Sequence, residues 1–323
     1  MEGYNYLLNK SEEIIQEILN EVNQEYIDDV DMKIIPLLLF RKILEKSKAI
    51  QILNDNKSGD STLTLARSIL ENYWYLMFML DEDTEFRSFS YCFFTVKEGA
   101  NKQLSQVKSY IKSYYKYIET HKETISFCQS QIKDINESLT KTKILDKFIK
   151  KKSEDIKLTL KKTLEDEIDK LNKEILSNKK RISELNKEKK ECDFVLKELN
   201  SGNKFIEIRE EFTKIKNKVK KPNWYTLKTG IGNIYEVAAN LELEDYYIEY
   251  ALLSQEVHSS NATNQIDIEK GNIILKDFFD RDISEMTQNI AKKCLLDSLK
   301  DLLIFYEKEN LITKIDNELF YKY

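Results

Sequence analysis

Between Gly99 and Gly202 the chain contains neither glycine nor proline. A stretch of that length without turn-formers has one regular solution, long helices. Inside it an apolar repeat runs in two arms. Ile111, Ile118, Ile125, Ile132 and Leu139 hold one seam position of the first arm, and Tyr114, His121, Cys128 and Ile135 hold the other. In the second arm Ile168, Ile175, Ile182 and Leu196 alternate with Leu164, Leu171, Leu185, Cys192 and Leu199. Asn178 and Lys189 interrupt this second seam. Apolar residues at alternating three and four spacing define a coiled-coil seam. Two nearly equal arms, joined near residues 145–157, predict an antiparallel hairpin inserted at 100–201, each arm about 65 Å long at 1.5 Å per residue. A parallel coil between two chains is the alternative.

The flanking segments, 1–99 and 202–323, are expected to form one discontinuous helical head. The whole chain has 7 glycines and 2 prolines in 323 residues, so its elements must be long. Ile14, Ile15, Ile18, Leu19 and Val22 give an amphipathic stripe. Pro36 opens or kinks a helix through Leu44, and Ser61 or Thr62 caps the next. That next helix, Leu63 to Leu80, is apolar nearly all round and belongs at the centre of the head. Lys221-Pro-Asn-Trp-Tyr reads as an extended entry, and Gly230 and Gly232 mark a turn. Residues 265–277 alternate around Lys-Gly-Asn, the signature of a small β-hairpin, before helix resumes from Ile283 to about Glu307. The fold class is all-α: a helical-bundle head with a coiled-coil hairpin insertion and one small β-hairpin.

Net charge is -5, so no global basic field draws the chain to nucleic acid. The basic stretches Lys141–Lys152 and Lys214–Lys221 read first as solvated lysine faces. The four cysteines, Cys92, Cys128, Cys192 and Cys294, have no metal or redox spacing, and neither metal nor cofactor is expected. The start of the chain lacks a signal-peptide pattern. The most apolar run, Tyr73 to Leu80, is too short for a bilayer. A cytoplasmic location without membrane contact is expected.

One polar site stands out. Arg67 and Glu71 share a face of the apolar central helix, where charges are costly unless paired. Tyr250, Ser254 and His258, spaced by four, form a polar stripe that continues into Ser259. His258 is one of 2 histidines, and its unperturbed pKa suits proton transfer. Catalytic roles are assigned to His258, Arg67 and Glu71, and binding roles to Ser254, Tyr250 and Ser259. An Arg–Glu pair that only fixes helix register is the structural alternative. Thr-Gly-Ile-Gly-Asn at 229–233 lacks the lysine of a phosphate loop and the third glycine of a dinucleotide fold. Zinc lacks ligands, and Ser254 lacks a nucleophile elbow.

Ala66, Arg67, Glu71, Trp224, Tyr250, Leu253, Ser254, His258 and Ser259 together resemble a bacterial all-helical domain family of unknown function. The resemblance covers the central helix and residues 222–261, and leaves the hairpin outside. It implies a role as an accessory or effector protein of mobile and antiphage islands. The chain is more distantly similar to the HEPN helical ribonucleases, in which an arginine and a histidine close in sequence act on the RNA phosphate without metal. No arginine lies close to His258, so Arg67 would have to serve from another helix. The similarity implies His258 as general acid or base, Arg67 as the stabiliser of phosphorane charge, Glu71 as the orienting group, and Ser254 or Tyr250 as a donor to phosphate. The leading expectation is a defence- or toxin-type effector that cleaves RNA. The alternatives are a scaffold that binds a protein partner through the hairpin, self-associating as a homo-oligomer, and a sensor of a small anion or nucleotide.

Overall fold

The computed structural model describes residues 2–25, 33–141, 147–257, 266–269, 272–275 and 281–321. The elements in order are α1 (Glu2–Glu25), α2 (Ile34–Asp55), α3 (Thr62–Asp81), α4 (Thr84–Lys141), α5 (Lys147–Ser201), α6 (Ile206–Ile215), α7 (Ile234–Asn240), α8 (Tyr247–Val257), β1 (Ile266–Glu269), β2 (Asn272–Leu275), α9 (Arg281–Phe305) and α10 (Asn310–Tyr321). The class is all-α, with a single antiparallel β-pair among the described residues, in register Ile266↔Leu275 to Glu269↔Asn272. The chain divides into two compact units, 1–94 with 205–323, and 95–204.

The first unit is built around α3, which packs on α2, α7, α8 and α9. Its sequence explains this position. Ala66, Ile69, Leu70, Trp74, Leu76, Phe78 and Met79 are buried around most of the helix, and only a strip through Thr64, Arg67 and Glu71 stays partly open to water. Phe40, Ile43 and Ile50 from α2 and Leu295, Leu299 and Leu302 from α9 join the same core. Each such side chain contributes about 1.5–3 kcal/mol of burial. Polar bonds fix the register of the three helices. Thr62 and Thr287 share a hydroxyl hydrogen bond of 2.8 Å, and Gln288 Nε2 donates to Gln51 Oε1 at 2.7 Å.

Several local expectations need correction. Pro36 opens α2 from its first turn, as expected, where its missing N–H has no helical partner to lose, but the helix continues past Leu44 to Asp55. Ser61 precedes α3 with helical backbone angles and no side-chain cap. A 3₁₀ turn at Gly59–Ser61 runs straight into the helix, and the Thr62 hydroxyl bonds back to the Gly59 carbonyl instead. Asn223 is extended, but Trp224–Thr226 then form a 3₁₀ turn closed by a reciprocal Asn223–Thr226 capping box. Gly230 takes the left-handed backbone, at φ +78.

The second unit consists of the later part of α4 and the whole of α5. The Ile118, Ile175 and Ile182 side chains bury together against Tyr114 and Ile125. His121 Nε2 lies 3.2 Å from Glu174 Oε2. Tyr115, earlier in α4, shares a surface groove with Ile182 and Asn186, later in α5. The two helices therefore run antiparallel. Every heptad position named in the sequence is buried or half-buried in these arms, including Cys128, Cys192, Asn178 and Lys189. The segment 142–146 between the arms lies outside the described residues. Gly99 does not begin an arm: it sits inside α4. An interior glycine costs about 1 kcal/mol relative to alanine, too little to stop a helix of this length. Gly202, which follows the end of α5, donates to the Glu198 carbonyl at 2.7 Å.

Candidate functional site

Two predicted site residues on α3 meet one on α8. Glu71 Oε1 accepts from Arg67 Nε at 3.2 Å and from the Tyr250 hydroxyl at 2.7 Å. Arg67 also donates through a terminal nitrogen to the Tyr250 hydroxyl at 3.4 Å, and its guanidinium lies 5.2 Å from the centre of the tyrosine ring. The three groups thus close a ring of hydrogen bonds across the helix interface. Helical spacing puts Arg67 and Glu71 on one face, and the apolar neighbours on α3 turn that face toward α8. Tyr250 is held from behind by the Trp74 and Tyr235 rings, at 5.0 and 5.2 Å between centroids.

The cluster is half open to solvent. The Arg67 and Glu71 side chains are 20% and 31% exposed, while Tyr250 is buried. Burial, with the Glu71 carboxylate next and Arg67 opposing, pushes the Tyr250 phenol up to about 12. It is therefore a neutral donor at physiological pH. Burial also works against the Arg67 charge, but Tyr250 and Glu71 outweigh it and raise the guanidinium above its usual value.

Two lysines that sequence reasoning passed over belong to the same neighbourhood. Lys46 on α2 feels the charge of Glu71, and burial followed by nearby Lys42 pulls its ammonium below the usual lysine range. Lys42 reaches the Tyr91 hydroxyl at 3.5 Å. Among the described residues Lys46 makes no ion pair within 4 Å. The only sequence signal was their four-residue spacing on a helix whose other face is apolar. On the far side, Tyr75 stacks on Tyr225 at 6.0 Å, and Trp224 packs against Tyr75, Phe78 and Tyr91. Glu71 also acts electrostatically on Tyr75 and Tyr225. Lys46 and Arg67 both feel the Glu71 carboxylate beside this aromatic wall, and Glu45 acts on Lys46 as well.

The Ser254 hydroxyl donates to the Tyr250 carbonyl at 2.7 Å, so its proton is committed within α8. His258 and Ser259 lie outside the described residues. Leu253 is buried in the core beside Tyr250, and Trp224 is buried as well. Among the described residues no three His, Cys, Asp or Glu side chains group as a metal site, and no helix is long and apolar enough to cross a membrane.

Residues 33–176, less than half of the chain, match a family of unknown function, DUF5677. The matched segment holds Arg67 and Glu71 and runs through α4 into α5; it stops short of Trp224 and Tyr250. It therefore takes in helix-pair sequence that the resemblance in the sequence had left out. No curated protein and no solved structure matches the chain.

Proposed function

We propose that the head is a metal-independent RNA-cleaving effector, acting in the cytoplasm, whose phosphate-binding edge is formed by Arg67 and Lys46. One observation carries this reading: Arg67, Glu71 and Tyr250 meet from two helices with Arg67 and Glu71 partly open to solvent, beside a lysine that makes no ion pair within 4 Å among the described residues. A purely structural ion pair has no need of the extra cation. In the reaction the ribose 2′-hydroxyl attacks the adjacent phosphorus, and the 5′-oxygen leaves with a proton. Arg67 and Lys46 stabilise the charge that grows on the phosphorane oxygens. His258, which directly follows the last residue of α8 in sequence, is assigned the proton transfer. Glu71 and Tyr250 hold Arg67 in place.

The test uses the purified full chain, end-labelled single-stranded RNA and excess EDTA. Cleavage that leaves 2′,3′-cyclic phosphate ends is expected, and it should vanish in both His258→Ala and Arg67→Ala. A fully active His258→Ala protein, or cleavage abolished by EDTA, rules the reading out.

A second reading has its own observation. Tyr110, Tyr115, Tyr117, Phe127, Leu176 and Phe194 are all more than half exposed on α4 and α5. Large apolar groups so placed favour a protein-binding surface on the helix pair, used by a partner or by a second copy of the chain. Light scattering of the wild type against Tyr115→Ser/Phe127→Ser/Phe194→Ser tests self-association. A monomeric wild type excludes the homo-oligomer, and an oligomer unchanged by the three substitutions excludes this surface as its interface.

A further inference from the structure

A cavity of about 400 Å³ opens in the head unit, away from the Arg67 cluster. Its volume falls in the range of small-molecule sites. Met77, Leu80, Leu243 and Phe305 give it apolar walls, and Tyr73, Asp81 and Asp301 supply its polar groups. Among the described residues no lysine, arginine or histidine lines it.

The polar groups differ in how far they are already used. Asp81 is engaged by Arg87, 3.5 Å away. Asp301 makes no hydrogen bond or ion pair with any described residue, and Asp297 stands one turn before it on α9. Both carboxyls are raised by burial, and the charge of Asp297 raises Asp301 further. Tyr73 is only 4% exposed, yet its hydroxyl has no hydrogen-bond partner among the described residues. Tyr73 lines the cavity, so a ligand there can supply the missing partner of its hydroxyl. It is also close enough to Asp301 to feel its charge. The backbone adds to the same field. α3 ends at Asp81 and α9 at Phe305, so the negative ends of two long helices converge on the cavity.

We infer that this cavity binds a small organic ammonium ion with an apolar body, its nitrogen donating to the Asp301 carboxylate and to the Tyr73 hydroxyl, and its hydrocarbon part against the Met77, Leu80 and Phe305 walls. Neutral apolar molecules would leave the carboxylate desolvated and uncompensated. Anions are opposed by both carboxylates and by both helix ends.

The test is calorimetric titration of the full chain with n-butyl-, n-hexyl- and n-octylammonium chloride, with the matching alcohols as neutral controls. The ammonium ions are expected to bind with affinity that rises with chain length, and the alcohols at least about tenfold more weakly. Asp301→Asn should reduce ammonium binding by about tenfold or more, and Tyr73→Phe by a few fold. Circular dichroism melts establish that both variants fold; should Asp301→Asn fail to fold, Asp301→Glu replaces it and is expected to shift the chain-length preference. Equal binding of alcohols and ammonium ions, undiminished binding by Asp301→Asn, an unshifted preference in Asp301→Glu where that variant stands in, or no binding by the wild type would each overturn the inference.

Discussion

Arg67 and Tyr250 stand 183 residues apart in sequence, and their polar atoms stand 3.4 Å apart in the fold, joined through the carboxylate of Glu71. The contact ties the centre of the head to a helix that the chain reaches only after the whole of the 95–204 unit.

The tyrosine hydroxyl both donates to Glu71 and accepts from Arg67, so Tyr250→Phe removes two bonds and keeps the ring. A loss of about 1–3 kcal/mol is expected in urea unfolding. In a double-mutant cycle, Tyr250→Phe with Glu71→Ala should cost less than the sum of the two single changes. Strict additivity would mean the hydrogen bond does not couple the helices.

Alkaline pH should unfold the head. Tyr250 moves from 10.0 to about 12, and Tyr4, Tyr73, Tyr75 and Tyr246 are raised by burial as well. The native state then holds phenolic protons that the unfolded chain gives up from about pH 10. The stabilisation from protonated Tyr250 is complete below that pH and is lost as pH rises through 12. Phenolate absorbance and helical circular dichroism should change together over this window. Tyrosines that ionise well before the helix signal falls would contradict the linkage.

The chain has 2 tryptophans, and both border the candidate site. Trp74 packs on Tyr250, and Trp224 on Tyr75 and Tyr225. A non-cleavable 2′-deoxy oligonucleotide should therefore change intrinsic fluorescence on binding. The same titration of Arg67→Ala should be flat, or shifted about tenfold or more to higher ligand concentration. A wild-type protein that shows no change with any oligonucleotide would place the ligand elsewhere.

Asn178 is half-buried at a heptad seam position of α5. A polar residue there costs stability and restricts register. Asn178→Leu is expected to raise the thermal midpoint of the helix pair. Ile175→Asp, at a buried seam position, should destabilise the pair by about 3 kcal/mol or more and lower the midpoint accordingly. An Asn178→Leu protein with an unchanged or lower midpoint would show that the asparagine is well satisfied where it is.

The legible parts of this chain are those in which local periodicity decides the outcome. The arms of α4 and α5 follow from spacing alone, because a heptad seam reports its own burial. The apolar α3 and the alternation that gives the paired strands β1 and β2 are equally plain; residues 270 and 271 of the expected turn lie outside the described residues. The central position of α3 follows from apolar residues around most of its circumference, interrupted only by the strip that carries Arg67 and Glu71. The Arg67–Glu71 pair is visible as a four-residue spacing, and Tyr250 as part of a polar stripe. What the sequence hides is proximity across elements. Lys46 looks like any other lysine in a lysine-rich chain until α2 packs beside α3. The cavity around Tyr73 and Asp301 draws on α3, α9 and the loop at 241–243, and no spacing rule joins those segments. Gly99 misleads for the opposite reason: a strong local signal is overruled by the helix on either side.

The order in which the core is assembled has a consequence in time. α2 and α3 leave the ribosome early, but α9, which covers them, begins roughly 200 residues later, and at 5–20 residues per second that is a wait of about 10–40 s. Throughout it, Phe40, Ile69, Trp74 and their neighbours have no lid. The antiparallel arms between them need only each other. They can zip as soon as α5 emerges, and with short-range contacts they do so quickly. A nascent chain of this protein is thus finished in the middle before it is finished at either end, and its early apolar helices are natural clients for a chaperone until α9 arrives.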